Sequence, residues 1–276
     1  MAETMQTRTI PSSGEKLPVV GLGTWQTFDV GEDAAARAPL GEVLRTLFDN
    51  GGKVIDSSPM YGRSEGVVGD LLTAMQAHAR AFVATKVWTS GKVQGEAQMR
   101  ESMRRLQHRP IDLMQIHNLL DWRTHLATLR AWKAEGLVRH LGITHYSPSA
   151  HGELEAVMRA EPLDFVQLNY ALDDRAAERR LLPLARERGM AVLVNMPFGG
   201  GGLLRRLSAR PLPDFAQEIG CASWAQLCLK FLLGHPAVTC VIPGTRRPQH
   251  MADNARAGFG PVPDAAMRER MAALVG

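Results

Sequence analysis

Short apolar runs alternate along the whole chain with longer segments in which apolar residues recur at helical spacing. The short runs are nearly continuous, which is typical of strands that are buried on both faces in a parallel sheet covered by helices. We predict eight such strands, at Lys16–Val20, Lys53–Asp56, Ala81–Lys86, Ile111–His117, Arg139–Thr144, Leu163–Asn169, Met190–Asn195 and Val238–Ile242.

The helical segments lie between these strands. Gly51, Gly136 and Gly189 directly follow three of the segments, as is typical of helix C-termini, and Ser64 is a candidate N-cap. We predict helices at Ala34–Asn50, Ser64–Met75, Gly95–Gln107, Trp122–Glu135, Pro148–Arg159, Arg175–Arg188, Ser223–Leu233 and Pro248–Ala257.

The N-terminal segment carries a separate hairpin signal. Thr7–Ile10 and Lys16–Val19 read as strands on either side of Ser12–Gly14, whose small and polar residues favour a tight turn. Beyond this hairpin, we predict that the first barrel strand continues to Val20 and ends in a turn at Gly21–Gly23.

Eight strands that alternate with eight helices, without a linker or a shift in composition, predict an α/β (β/α)8 TIM barrel. We assign residues 1–276 to one such domain, with the short β-hairpin at its N-terminus. An open doubly wound sheet is the alternative. Against it, the stretch Gly21-Leu22-Gly23-Thr24-Trp25 lacks the third glycine of a dinucleotide-binding fingerprint.

Composition and charge exclude several classes of protein. The 276 residues are 45% hydrophobic and 22% charged, which excludes a disordered chain, and no apolar run is long enough to span a membrane. The net charge is +4, but no basic block interleaves with aromatic residues, so we expect no nucleic-acid partner. We expect a monomer or weak oligomer with no membrane partner.

The three cysteines, Cys221, Cys228 and Cys240, match no metal-binding spacing and are odd in number. We interpret them as reduced thiols in the core, and we predict no metal site. The N-terminus is polar and has no apolar segment of the kind found in secretory signals. Both features predict a cytoplasmic protein, although an export leader that had already been removed would leave no trace.

Candidate chemistry lies at the predicted strand ends. In a barrel of this kind, functional side chains lie at the C-terminal ends of the strands. The second, third and fourth strands end in Asp56, Lys86 and His117, which are 30 and 31 residues apart, and Tyr61 follows Asp56 by five residues. Because each interval is one strand–helix unit, we expect these four side chains to meet at one mouth of the barrel.

The chemistry of these side chains is complementary. Lys86 lies within an apolar strand, where an unpaired ammonium is costly, and Asp56 on the adjacent strand is its natural partner. A nearby lysine lowers the pKa of a tyrosine, so we expect Tyr61 to act as a proton donor. His117 would donate a hydrogen bond to the substrate oxygen that Tyr61 protonates. The set suits protonation of a carbonyl oxygen while hydride reaches its carbon.

At these residues the sequence resembles the aldo-keto reductase family. The resemblance extends in order through nearly the whole chain, along segments that begin at Gly21-Leu22-Gly23-Thr24-Trp25, Val54-Ile55-Asp56, Thr85-Lys86-Val87-Trp88, Ile111-Asp112-Leu113, Leu141-Gly142-Ile143-Thr144, Val166-Gln167-Leu168-Asn169, Pro197-Phe198-Gly199 and Ile242-Pro243-Gly244-Thr245. It implies a TIM barrel and an NADPH-dependent carbonyl reductase whose catalytic residues are Asp56, Tyr61, Lys86 and His117.

The resemblance also implies a cofactor site. Thr144 and Gln167 match residues that hold the nicotinamide carboxamide, whereas His145 and Asn195 stand where many members have asparagine and a stacking aromatic residue. The segment from Phe198 to Gly202, which contains four consecutive glycines, matches the loop over the pyrophosphate. The full implied set is Gly23, Thr24, Trp25, Thr144, His145, Gln167, Asn195, Pro197, Phe198, Gly199, Thr245, Arg246, Arg247 and Asn254.

The adenosine end of that site departs most from the family. Many members have a lysine and a later arginine at the 2′-phosphate, and this chain has Gly244 and His250 there. Arg246 and Arg247 remain in the segment, and a guanidinium can bind phosphate through two hydrogen bonds. We therefore favour NADP(H) over NAD(H).

The substrate pocket is less defined. Trp25 and Trp88 match apolar walls of the family's pocket, Phe28 is a possible addition, and the short segment after the last helix predicts an open site. Two other functions remain open. The barrel could be a nucleotide-binding regulatory subunit with little turnover, or a Schiff-base aldolase that uses Lys86, although a paired Asp56 would keep this lysine protonated.

Overall fold

The computed structural model describes residues 3–275. Near the N-terminus, β1 (Thr7–Thr9) and β2 (Lys16–Pro18) pair in antiparallel fashion, with Thr9 opposite Lys16. The predicted hairpin is therefore confirmed. It precedes the main sheet and forms a separate two-stranded sheet.

The main sheet has eight parallel strands in sequential order. Each strand pairs in parallel with the strand that precedes it in the chain. The strands are β3 (Leu22–Gly23), β4 (Val54–Asp56), β5 (Phe82–Val87), β6 (Ile111–His117), β7 (Val138–His145), β8 (Phe165–Asn169), β9 (Ala191–Asn195) and β10 (Cys240–Val241).

The first and last strands meet and close the sheet. Parallel bridges join Val20 to Val241 and Gly23 to Gly244, and the Gly21 N–H donates to the Val241 carbonyl at 2.9 Å. An open sheet would leave these backbone groups without partners. The predicted (β/α)8 barrel is confirmed, and the alternative of an open doubly wound sheet is wrong.

Ten α-helices lie among the described residues, and most agree with the predicted segments to within three residues. Two helices after β9, at Gly202–Leu207 and Ala265–Ala272, were not predicted because their apolar residues do not recur over a long enough segment. The helices are α1 (Ala34–Asp49), α2 (Ser64–Ala74), α3 (Lys92–Leu106), α4 (Trp122–Ala134), α5 (His151–Ala160), α6 (Leu181–Glu187), α7 (Gly202–Leu207), α8 (Trp224–Leu233), α9 (Pro248–Arg256) and α10 (Ala265–Ala272).

The first barrel strand differs from the prediction. Lys16–Pro18 belongs to the hairpin, and Leu22–Gly23, predicted as part of a turn, is the barrel strand. The glycines serve close packing between strands. A Cβ on Gly21 would lie 2.7 Å from the Val54 Cβ, and one on Gly23 would lie 2.8 Å from the Ile242 carbonyl oxygen. Side chains at these positions would force the neighbouring strands apart.

The predicted N-cap of α2 is also wrong. Arg63 occupies the cap position, and Ser64 is the first residue of the helix. The Ser64 side chain is fully buried, and its hydroxyl lies 3.4 Å from the Thr24 carbonyl oxygen. It therefore ties the helix to the loop that follows β3 instead of capping the helix.

Two apolar clusters form the core. The larger lies between the barrel and the surrounding helices, and it includes Cys221 and Cys228. The smaller fills the barrel interior and includes Cys240, together with Ile10 and Leu17 of the hairpin segment. The hairpin therefore closes the N-terminal end of the barrel, which leaves the C-terminal end as the mouth.

All three cysteines are buried and free, which confirms their predicted place in the core. Burial raises the pKa of the Cys221 thiol to about 11 and that of Cys228 to about 12. Within residues 3–275, no helix is long and apolar enough to cross a membrane.

Candidate active site

The inward-facing positions change from apolar to polar toward the C-terminal ends of the strands. On β4 the interior residues are Val54 and then Asp56, and on β5 they are Ala84 and then Lys86. Alternation of side chains along a strand accounts for the spacing of two residues. The same period places further polar side chains at the mouth of the barrel, at Gln115, His117, Thr144, Gln167, Asn169 and Asn195.

Asp56 and Lys86 form the buried centre of this layer. The Lys86 Nζ lies 2.6 Å from the Asp56 Oδ2 and 2.7 Å from the Ser57 carbonyl oxygen. Lys86 is completely buried and Asp56 is 3% exposed, so the predicted pairing is present. Local backbone bonds fix this corner because the Thr24 N–H donates to the Asp56 carbonyl at 3.0 Å.

The environment of Lys86 keeps its side chain charged. Burial alone would lower the pKa of the ammonium, but the Asp56 carboxylate and the Tyr61 oxygen outweigh that effect, and the net result is a raised pKa. A lysine in this state is a cation at neutral pH. It is available for electrostatic stabilisation and unavailable as a nucleophile.

Tyr61 lies against this ammonium. The Lys86 Nζ is 5.0 Å from the centroid of the Tyr61 ring. Burial raises the pKa of the phenol, Lys86 lowers it and Asp56 raises it, and the net direction is upward. The predicted net lowering is therefore wrong for this structure, although Lys86 does act in the predicted direction. The sequence alone does not show whether burial, which raises the pKa of Tyr61, outweighs the charge of Lys86, which lowers it.

His117 completes the predicted group of four. Its ring packs edge-on against Tyr61, with 5.9 Å between centroids, and lies 6.4 Å from the Trp88 ring. Burial lowers the pKa of His117 to about 3, and the charges of Lys86 and His145 add to this effect. His117 is therefore neutral at physiological pH and carries one ring proton. The structure brings Asp56, Tyr61, Lys86 and His117 together as predicted.

Two glutamines hold the other oxygen of Asp56. The Gln167 Nε2 donates to the Asp56 Oδ1 at 2.8 Å, and the Gln115 Nε2 donates to the same atom at 3.2 Å. With Lys86 on Oδ2, the carboxylate accepts three hydrogen bonds from side chains. Sequence reasoning missed Gln115. Its position two residues before His117 places it on the same face of the strand and is the signal that could have found it.

The residues implied for the nicotinamide end lie beside this group. Gln167 Oε1 accepts hydrogen bonds from the Thr144 hydroxyl at 3.2 Å and from the Asn195 Nδ2 at 3.3 Å. The Asn195 Oδ1 is buried and has no partner among the described residues. His145 is half-buried, and its Nδ1 accepts the Ser147 N–H at 3.1 Å. Asn195 is therefore the member of this set with an unused acceptor.

The glycine run after β9 forms a bare backbone segment. Gly199, Gly200 and Gly201 all have positive φ, a conformation that side chains rarely adopt. A Cβ on Gly201 would meet nothing within 4 Å, so this backbone borders open space. Pro197 is buried and Phe198 half-buried at the start of the segment. Within this turn the Gly199 and Gly201 N–H groups donate to the Met196 and Phe198 carbonyls at 2.9 Å, so the segment presents exposed backbone and not a row of free N–H donors.

The segment after β10 supplies the positive side chains. Thr245 is buried, and its Oγ1 accepts the Arg247 N–H at 3.1 Å, which fixes the start of α9. Arg246 and Arg247 are exposed, and Arg246 donates to the Gln26 carbonyl at 3.2 Å. Asn254 lies buried on α9. These residues share one rim of the barrel mouth with the loop that follows β3.

The predicted aromatic walls divide into two groups. Trp25 and Trp88 are 51% and 41% exposed on loops at the mouth, as expected for an open pocket. Phe28 is completely buried in the outer core and packs with apolar residues between barrel and helices. Its predicted place in the substrate pocket is therefore wrong. The Phe28 side chain has no exposed surface that could contact a substrate.

Comparison with known proteins agrees with this arrangement. Residues 19–273 match the model of the Aldo/keto reductase family. Methylglyoxal reductase YeaE of Escherichia coli (strain K12) is 29% identical over 259 residues, or 91% of this chain and 89% of the relative. NADP-dependent D-sorbitol-6-phosphate dehydrogenase of Malus domestica is 25% identical, with 88% and 86% of the two chains covered.

The fold agrees with solved structures as well. A crystal structure of an aldo-keto reductase from Klebsiella pneumoniae in complex with NADPH matches with a TM-score of 0.81 and 25% identity, over 100% of this chain and 96% of that chain. The family match spans almost all of the described residues, and the strands that carry the polar layer lie within it. The chain therefore belongs to the aldo/keto reductase family, and it is an NAD(P)H-dependent oxidoreductase.

Proposed function

We propose that this protein reduces small aldehydes and ketones to alcohols with NADPH, and that Tyr61 is the proton donor. The observation that carries the proposal is the buried Lys86 ammonium, which contacts Asp56 at 2.6 Å and faces the Tyr61 ring at 5.0 Å. Burial of a charge is costly without a partner, and a buried ion pair often adds no stability over apolar side chains of the same size. The place of Lys86 beside an ionisable phenol at the mouth is what proton transfer requires.

Each side chain then has a defined role. When bound, NADPH supplies the hydride that reduces the carbonyl carbon. Tyr61 donates its hydroxyl proton to the carbonyl oxygen, and Lys86 stabilises the phenolate that remains. His117 donates a hydrogen bond to the same carbonyl oxygen. Asp56 holds Lys86 in place through its Oδ2, while Gln115 and Gln167 hold its Oδ1.

The alternative use of Lys86 as a Schiff-base nucleophile is disfavoured by the same contacts. An amine must lose its proton before it attacks a carbonyl. Lys86 donates to Asp56 and to the Ser57 carbonyl, and its pKa is raised in spite of complete burial. These contacts favour a stabilising cation over a nucleophile.

The residues at the mouth fit a nicotinamide dinucleotide. The unpaired Asn195 Oδ1 can accept a hydrogen bond from the carboxamide amino group, beside Thr144 and Gln167. The backbone at Gly201 borders open space that a pyrophosphate can enter. We assign the 2′-phosphate of NADPH to the exposed Arg246 and Arg247, with Thr245 and Asn254 beside them.

The direct test of this function is NADPH oxidation followed by absorbance. Nitrobenzaldehyde is a reactive probe, and methylglyoxal is a second substrate to test because a relative is named for its reduction. We expect turnover with one or both. A pure, folded protein that binds NADPH and oxidises it with neither aldehyde nor any simple ketone would contradict the proposal and favour the regulatory alternative.

Replacement of Arg246 and Arg247 by alanine should weaken NADPH binding much more than NADH binding. Each charge-assisted hydrogen bond to the 2′-phosphate is worth about 1.5–3 kcal/mol, so the Kd of NADPH should rise by at least about tenfold. NADH lacks that phosphate, and its Kd should change little. Fluorescence titration with both nucleotides measures the difference.

A matched control separates this contact from the general attraction of a basic protein for an anion. The double change Arg104→Ala with Arg159→Ala removes the same charge from exposed positions on α3 and α5. The control should bind both nucleotides as the unmodified protein does. Equal weakening of NADPH and NADH in the Arg246 and Arg247 variant would exclude the 2′-phosphate role.

Asn195→Leu should weaken NADPH binding without destabilising the free protein. The change removes a buried oxygen that lacks a partner, a defect worth about 1–3 kcal/mol, while Gln167 Oε1 keeps the Thr144 hydroxyl as a donor. The Tm should stay constant or rise. The Kd of NADPH should rise roughly threefold to tenfold, the value of one neutral hydrogen bond.

The ligand control for this variant is 2′-phospho-ADP-ribose, which lacks the nicotinamide ring. Its affinity should be the same for Asn195→Leu as for the unmodified protein. If the variant loses affinity for both ligands, or for neither, Asn195 does not contact the carboxamide.

A further inference from the structure

Ser58 lies against the inner nitrogen of His117. Both side chains are buried, with Ser58 completely so, and the Ser58 Oγ is 3.2 Å from the His117 Nδ1. Ser58 belongs to the loop after β4, two residues beyond Asp56, whereas His117 ends β6. Because β5 lies between these two strands, this contact spans one strand of the barrel at its mouth.

The hydrogen-bonding capacity of the two groups indicates which atom is the donor. His117 is neutral, so only one of its nitrogens carries a proton. The Ser58 Oγ has a second contact, with the Met60 N–H at 3.4 Å, and that N–H can only donate. If the His117 Nδ1 also donated to Ser58, the hydroxyl oxygen would accept twice, and its own proton would have no acceptor among the described residues.

The opposite arrangement satisfies every group. The Ser58 hydroxyl then accepts the Met60 N–H and donates its proton to an unprotonated His117 Nδ1. The ring proton must lie on Nε2. No protein atom of residues 3–275 forms a hydrogen bond with His117 Nε2, so this N–H is free to meet a substrate oxygen.

We propose that Ser58 is a positioning residue that fixes His117 in the Nε2-protonated tautomer. The inference rests on the proposed function, in which His117 donates a hydrogen bond to the carbonyl oxygen. In the other tautomer, Nε2 would present a lone pair to that oxygen. The carbonyl oxygen would then lose a donor at the point where negative charge develops, and the two lone pairs would repel each other.

The tautomer can be read directly by NMR on protein labelled with ¹⁵N-histidine. Long-range ¹⁵N–¹H correlation distinguishes protonated from unprotonated ring nitrogens, and a His117→Asn sample assigns the signals. We expect His117 to carry its proton on Nε2 in the unmodified protein, and Ser58→Ala to shift it partly or wholly to Nδ1. A proton on Nδ1 in the unmodified protein, or an unchanged tautomer in Ser58→Ala, would overturn the inference.

Kinetics supply the second measurement. Ser58→Ala should lower kcat for aldehyde reduction by about threefold to tenfold, the value of one neutral hydrogen bond, while the Kd of NADPH stays within about twofold. Ser102→Ala is the matched control, since it removes an equally buried hydroxyl from α3, outside the site, and should leave kcat unchanged. An unchanged kcat in Ser58→Ala beside a shifted tautomer would contradict the positioning role.

The two measurements keep this inference separate from the proposed function. The NMR result describes the ring of His117 and needs no turnover. If the protein reduced no carbonyl compound, the proposed function would fail while the tautomer assignment could still be confirmed. If turnover were normal and the His117 proton lay on Nδ1, only the role of Ser58 would fail.

Discussion

Tyr61→Phe should lower kcat for aldehyde reduction by about 10²–10⁴, which is the usual contribution of a general acid. The change removes one hydroxyl and keeps the ring, whose packing against His117 and Lys86 does not require the oxygen. The Tm should therefore stay close to that of the unmodified protein, and NADPH should bind within a few-fold of its original affinity.

The matched control is Tyr146→Phe. Tyr146 is also a tyrosine on a loop at the mouth, but it is 55% exposed and stacks on His145 through its ring, which phenylalanine retains. Its loss of a hydroxyl should leave kcat unchanged. A Tyr61→Phe enzyme that reduces aldehydes at the original rate would exclude Tyr61 as the proton donor, whatever the fold.

Lys86→Met should abolish most activity and also destabilise the protein. Methionine has a similar length but no charge, so Asp56 would keep only the two glutamine donors on Oδ1 and lose the contact on Oδ2. Removal of one partner from a buried ion pair costs about 3–5 kcal/mol. Tyr61 would also lose the charge that stabilises its phenolate. Chemical denaturation and steady-state kinetics measure the two losses.

Two controls separate stability from chemistry. Lys230→Met makes the same substitution at another buried lysine, whose Nζ donates to the carbonyls of Ile219, Phe259 and Pro261 at 2.6–2.8 Å. It should lower the stability and leave kcat per folded molecule unchanged. Lys86→Met combined with Asp56→Asn removes the orphaned charge, so it should recover much of the stability and none of the activity.

A Lys86→Met protein that stayed as stable as the unmodified one would show that Asp56 does not depend on Lys86 for its burial. Retention of full kcat would exclude Lys86 from the proton-transfer step. Loss of activity in Lys230→Met to the same degree as in Lys86→Met would mean that stability, not chemistry, explains both results.

The local pattern was sufficient to predict the barrel. Strands such as Ala191–Asn195 are nearly continuous apolar runs, and their separation by helical segments leaves few other arrangements. The pattern also located Asp56, Lys86 and His117 because a strand end is a local feature and parallel strands in a barrel share one mouth. Tyr61 was located by its place in the loop after Asp56. Long-range pairing between Asp56 and Lys86 followed from the single fact that their strands are neighbours.

Where the pattern was misleading, a distant contact explains the difference. Gly21 and Gly23 resembled turn residues, but they are glycines because Val54 and Ile242 approach them closely. Phe28 resembled a pocket residue, but it lies in the core. Ser64 resembled an N-cap, but its buried hydroxyl donates to the Thr24 carbonyl. In each case the identity of the neighbour across the fold decided the role.

The sequence by itself determined the order of most strands and helices, the N-terminal hairpin and the convergence of Asp56, Lys86 and His117 at the mouth of the barrel. These features follow from hydrophobic period and chain order, which are properties of neighbouring residues. Only the tertiary structure decided that the Tyr61 pKa is raised, that Gln115 and Gln167 donate hydrogen bonds to Asp56, and that Ser58 contacts His117. Desolvation and hydrogen-bond geometry depend on atoms brought together from distant parts of the chain, so no local pattern records them.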